Sequence, residues 1–283
     1  MSNKVTLASF SELFQGTGNL IQAFFDPDIF VQEFIKPIID ASSVRHQNKG
    51  TVVFDNGISE LIDVFGLYYG DDTLGFTTLI ATNNGTKTNE VLAVFPVASG
   101  LTHRVRIEEV LVWENQICAT VRCSIDGFGF AFFATDFYYN KEKYLENEYL
   151  EIDLVELACA AEEGQKSFSF EGQDAVNWLA KMGQEASYNE DGSVQPVQFS
   201  MAEFVAYLAL EDKTPNEAQF QSPAGPVDRL SFAGIDLYKT PVILRGEDAE
   251  FRVPVILRKE LIPDLEEGMP IRGYSCMIGR IAE

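Results

Sequence analysis

Basic side chains are scarce in this 283-residue chain: 21 Lys and Arg stand against 43 Asp and Glu, a formal net charge of −22. Nucleic acid is held largely by neutralising phosphates, so this composition disfavours it, and anionic membrane for the same reason. Histidine is nearly missing, with only His46 and His103. His46 sits in the polar stretch 42–50, which reads as a solvated loop, and His103 precedes an alternating stretch. Neither has the spacing of a Cys–His or Ser–His pair. The four cysteines (Cys118, Cys123, Cys159, Cys276) are too few and too irregular for a disulfide framework. Cys118 and Cys123 are too far apart for a zinc knuckle, and buried thiols acting as small hydrophobes are expected.

Other absences narrow the chemistry. No G-x-S-x-G occurs, and no loop alternates oxygen ligands as an EF-hand does. Gly16 and Gly18 lack the third glycine or the Lys-Ser/Thr of a phosphate loop. No cofactor and no metal are therefore expected. No run approaches membrane-span length, and MSNKVTLASFSELFQG lacks the apolar core of a signal peptide. A cytoplasmic protein is expected, with Asn84-Gly85-Thr86 a turn rather than a glycosylation site.

What is present is a globular composition: 46% hydrophobic, 23% charged, and 22 Phe. The fold class expected is α+β, with two small antiparallel β modules, barrel-like and of OB type or related. Residues 1–100 form an N-terminal α+β part, with helix caps at Ser9, Ser11 and Asp26, then strands broken at Asp55-Asn56-Gly57 and Thr82–Gly85. Pro37 should kink the helix that follows Asp26. Residues 101–160 form a central β module, with a hairpin at Asp126-Gly127 and a polar loop at 140–143. Residues 161–225 are a helical segment and linker: helices over Gly172–Met182 and Met201–Leu210, the latter capped by Ser200 with Glu203, then an extended Thr214–Pro226. Residues 226–283 form a C-terminal β module, in which Pro241 and Pro254 argue for edges or bulges. The order of features in 110–160 resembles that in 232–283, so a duplication is one reading.

The acidity is uneven. Residues 1–225 carry nearly all of it, and 226–283 are almost balanced. The aromatic run Phe128–Tyr139 is the most unusual local feature: Phe128, Phe130 and Phe132 alternate toward a core, while Phe133, Phe137, Tyr138 and Tyr139 continue past it. Together with Glu151, Asp153 and Glu156, taken as the solvent side of a strand, these last four form the candidate interface; capping the open end of a barrel is the other reading of the four aromatics.

The expected function is a non-enzymatic acidic protein that binds a basic protein partner, an inhibitor or immunity-type role being one form of it. One alternative is an OB-like module holding an oligosaccharide or single strand on Arg245, Arg252, Arg258 and Lys259. Another is a hydrolase using Glu114, Asp126 and Asp136, and a third is a component of a larger assembly.

Overall fold

Long strands that bend at bulges can curl round on themselves, and here they close a barrel. The computed structural model is β-rich, with 57% strand and 16% helix, a closed five-stranded barrel and further sheets around it. It describes residues 3–8, 19–54, 57–83, 87–210, 214–245 and 250–282. The expected caps Ser9 and Ser11, the Gly16–Gly18 stretch, Asp55-Asn56 and Asn84-Gly85-Thr86 lie outside those residues.

β1 (Lys4–Ala8) lies parallel to a later strand. Pro27–Ile29, a π-turn Phe30–Phe34 and Ile35–Ala41 then run on as one helix, α1. Pro37 has no N–H for the carbonyl of Glu33, and the π-turn just before it absorbs the mismatch. β2 (Ser43–Val53), β3 (Ser59–Gly70), β4 (Leu74–Asn83) and β5 (Thr88–Ala98) form a four-stranded antiparallel meander. The polar stretch around His46 is therefore strand, not loop. As the edge of its sheet, β2 tolerates alternating exposed polar side chains.

The barrel is built from β6 (Leu101–Trp113), β7 (Ala119–Ile125), β8 (Phe128–Ala134), β9 (Tyr149–Glu163) and one strand from far downstream. Asp126 and Gly127 both take positive φ, 49° and 80°, which gives the two-residue hairpin between β7 and β8 the twist its strands need. The expected loop at 140–143 is part of a helix, α2 (Phe137–Glu146), whose buried Phe137 and Tyr144 plug one end of the barrel. The fully buried Val121, Phe132, Ile152, Leu154 and Met277 help fill its interior.

β10 (Ser167–Phe170), α3 (Gly172–Lys181) and β11 (Val197–Ser200) make a small excursion. β12 (Ala206–Ala209), β13 (Glu217–Pro223), β14 (Asp228–Phe232), β15 (Ile235–Arg245) and β16 (Phe251–Arg258) follow. β17 (Pro270–Ile281) pairs parallel with β8 and antiparallel with β9, and so supplies the fifth stave. Where β9 leaves β6 it meets β16, and the other half of β17 meets β13. A second sheet, β12-β13-β17-β9-β16-β15-β14, thus shares two strands with the barrel. The two modules expected from the pattern are merged through these shared strands.

Three local expectations are corrected. The helix over Met201–Leu210 is a turn followed by β12, because the Ser200 hydroxyl accepts from Ala202 N at 3.3 Å and Ala206–Ala209 pairs with β13. The linker Thr214–Pro226 contains β13, ordered by its ladder to β17. Pro241 and Pro254 face each other in interior strands rather than at edges. They fit because β14 pairs with β15 only as far as Lys239 and β9 meets β16 only at Val255–Ile256, so neither proline needs an N–H there.

Candidate partner-binding surface

Between positions 165 and 210 the chain runs outside the barrel until β12 brings it back, where Tyr207 packs on Phe128 of β8, and Ala175 on α3 is the one buried residue of the stretch. The excursion holds together through rings. Phe170 stacks on Trp178 at 4.9 Å, Trp178 meets Phe199 edge-on at 5.2 Å, and Phe168 meets Phe170 edge-on at 4.8 Å. Such pairs contribute about 0.5–1.5 kcal/mol each beyond area burial. α3 ends in a Schellman motif: Gly183 N donates to Ala180 O at 3.1 Å and Gln184 N to Leu179 O at 2.8 Å, with Gly183 at φ 69°. Asp191 closes the next turn by accepting from Ser193 N at 2.9 Å and Ser193 Oγ at 2.6 Å.

Its surface joins two properties that normally avoid each other. Phe168, Met182, Tyr188, Phe204 and Leu208 are between 41% and 63% exposed. Glu171, Asp174, Glu185, Glu190, Asp191 and Glu203 are all exposed among them, against Lys166 and Lys181. Leu208 and Ala206, on the outermost strand of the second sheet, also line a groove of about 790 Å³ with Gln219, Gln221 and Tyr274.

The residues picked out from sequence lie elsewhere. Phe133, Phe137 and Tyr138 are buried, which corrects the interface reading of these three, while Phe137 takes the other one and closes a barrel end. Phe133 packs outward from the barrel onto Trp113 and Phe95 of the meander, and Tyr138 lies over Gly66, where any Cβ would collide with its hydroxyl. Tyr139 is half-buried and stacks on His46 at 4.0 Å. Glu151 is exposed, and Asp153 is half-buried 3.8 Å from Arg280.

Glu156 is wholly buried, in correction of its expected solvent face. Its parity on β9 is that of Ile152 and Leu154, which point into the barrel, and not that of Glu151 and Asp153. Neither carboxyl oxygen has a hydrogen-bond partner among the described residues, though the Ser275 and Tyr207 hydroxyls lie beside it. Burial pushes this carboxyl up to about 7.

The hydrolase trio is not assembled. The hairpin sets Asp126 at the far end of β7 and β8 from Glu114 and Asp136. Asp136 accepts from Tyr144 Oη at 2.5 Å, Asn140 Nδ2 at 2.8 Å and Ile281 N at 3.1 Å, so it ties α2 to β17. In the basic set, Arg252 pairs with Glu250 at 2.7 Å and Arg258 with Glu260 at 2.9 Å; the Arg245 side chain lies outside the described residues. His103 Nε2 meets Arg252 O at 2.8 Å, and burial lowers its pKa. Cys118 and Cys123 are buried, and burial raises both thiols, the first to about 12. Among the described residues no group of three or more His, Cys, Asp or Glu converges to hold a metal, and no helix is long and apolar enough to cross a membrane.

Sequence inspection missed the excursion's rings. The alternation of Phe168 and Phe170 and the apolar face of Gly172–Met182 were the available signals. The chain matches no protein-family model, no curated protein and no solved structure.

Proposed function

We propose that the protein is a non-enzymatic binding protein that engages a basic protein partner through residues 165–210, as an inhibitor or immunity-type partner would. The observation that carries this reading is an aromatic, acidic excursion with Ala175 as its one buried residue. An apolar surface left this open gains stability when a partner covers it. Six exposed carboxylates against two lysines steer a basic partner toward it. A second copy of the chain would bring the same negative field, which favours a partner of opposite charge over self-association.

The scaffold of this reading is a barrel of OB type. Its support is the strand order β6-β7-β8-β17-β9 with β8 and β17 parallel, and a helix between β8 and β9 that plugs the barrel. A cytoplasmic setting belongs to the same proposal and fits four buried free thiols.

Affinity capture from the source cell at low salt tests it. The expected result is a basic protein retained by the native chain, released as salt rises, and lost from a Glu171→Lys, Asp174→Lys, Glu185→Lys variant. Capture that survives these reversals undamaged, or no capture at low salt, would overturn the assignment.

A further inference from the structure

Two of the four thiols are neighbours. Cys159 Sγ lies 3.9 Å from Cys276 Sγ, on the strands β9 and β17 that barrel and second sheet share. Cys159 is the extra residue of a β-bulge: Ala158 pairs with Ser275 and Ala160 with Tyr274, which leaves Cys159 without a register partner. Relief from the ladder gives its backbone room that a regular strand position lacks. Cys159 retains a little solvent exposure, 7%, whereas Cys276 has none. Its thiol donates to the carbonyl of Asn19 at 3.1 Å.

We propose that Cys159 and Cys276 form an oxidation site, which a peroxide converts into an intramolecular disulfide. Cys159, the residue with the greater exposure, attacks the peroxide; the O–O bond breaks, one oxygen stays on sulfur as a sulfenic acid, and water leaves. Cys276 then attacks that sulfur. The S–S bond forms, the S–O bond breaks, and the hydroxyl departs as a second water with the Cys276 proton. Two thiols and one hydrogen peroxide thus give one disulfide and two waters, with two electrons passed to the peroxide. Closure from 3.9 Å to about 2 Å needs a small rotation of the two side chains, within the reach of a bulged strand. The hydrogen bond with Cys159 and burial both raise the Cys276 thiol, which holds it back from peroxide; it gives up its proton to the departing hydroxyl as it attacks the sulfenic sulfur beside it. Cys118 and Cys123 have no sulfur partner among the described residues and stay reduced in this scheme.

The full chain, reduced and freed of small thiols, is treated with hydrogen peroxide, blocked with N-ethylmaleimide and digested without reductant. Thiols titratable after denaturation should fall from four to two, with the Cys159 and Cys276 peptides recovered as one linked species that dithiothreitol separates. Cys159→Ser and Cys276→Ser should each abolish the linked species, while Cys118→Ser should leave it in place. Four thiols surviving, a sulfinic acid accumulating on Cys159 in the native chain, or linkage through Cys118 or Cys123 would each overturn the assignment. Mapping of the native chain decides the matter even where a variant folds poorly.

Discussion

β9 and the excursion that follows it are consecutive in the chain and opposite in burial. Leu154–Cys159 are six consecutive buried residues, because the barrel interior takes one face of the strand and the meander the other. The next 46 positions after Gly164 bury Ala175 alone. A strand covered on both faces has no solvent side on which to place charge, so Glu156 is confined away from water with only the Ser275 and Tyr207 hydroxyls beside it. The excursion has the reverse problem, with large rings and too few neighbours to cover them. The chain thus separates a self-sufficient scaffold from a surface that is incomplete by itself.

Removing a large side chain from the scaffold should have the greatest effect. Phe132→Ala empties a wholly buried site, and chemical denaturation should report a loss of about 3–5 kcal/mol. Next comes the confined carboxylate. Burial raises Glu156 from 4.5 in the unfolded chain to about 7 when folded, so the folded state binds the proton more tightly. This contribution is fully favourable below pH 4.5, is lost as pH rises through 7, and amounts to about 3 kcal/mol in all. Glu156→Gln should flatten that limb, so that the variant is the more stable protein at pH 8, as thermal melts across pH would record. A variant with an unchanged pH profile would mean that Glu156 is hydrated, and that the contrast between the two regions is overstated.

The smallest effect should come from the excursion. Trp178→Ala removes the stack on Phe170 and the edge contact with Phe199, a loss of about 1–2 kcal/mol. Amide exchange should quicken across α3, while the global unfolding midpoint stays where it was. A midpoint shift as large as that of Phe132→Ala would show that scaffold and excursion unfold as one unit.

Local features were legible and long-range ones were not. Asp126-Gly127 announces its hairpin because only residues tolerant of positive φ close a two-residue turn. Phe130 and Phe132 announce an inward face through parity alone, and parity would also have placed Glu156 beside Ile152 and Leu154. By contrast, Ser200 with Glu203 has the pattern of a helix start, yet pairing of Ala206–Ala209 with β13 prevails over that local signal. Tyr138 and Tyr139 read as surface because their cover, Gly66 of β3 and His46 of β2, comes from strands about 70 to 90 residues earlier. The candidate surface was half visible: its charge is written in composition, whereas the exposure of its rings depends on what fails to pack against them.

The late arrival of β17 has a consequence for synthesis. During translation four staves are complete once β9 has emerged, but the strand that bridges β8 and β9 begins more than a hundred residues later. Until then both seams lie open, and the side chains destined for the barrel interior face the solvent or a chaperone. Contacts so distant in sequence slow folding and lengthen exposure to aggregation. A nascent chain arrested before residue 270 should therefore be readily cleaved by protease, and release of the β17 segment from the ribosome should be the step that confers resistance.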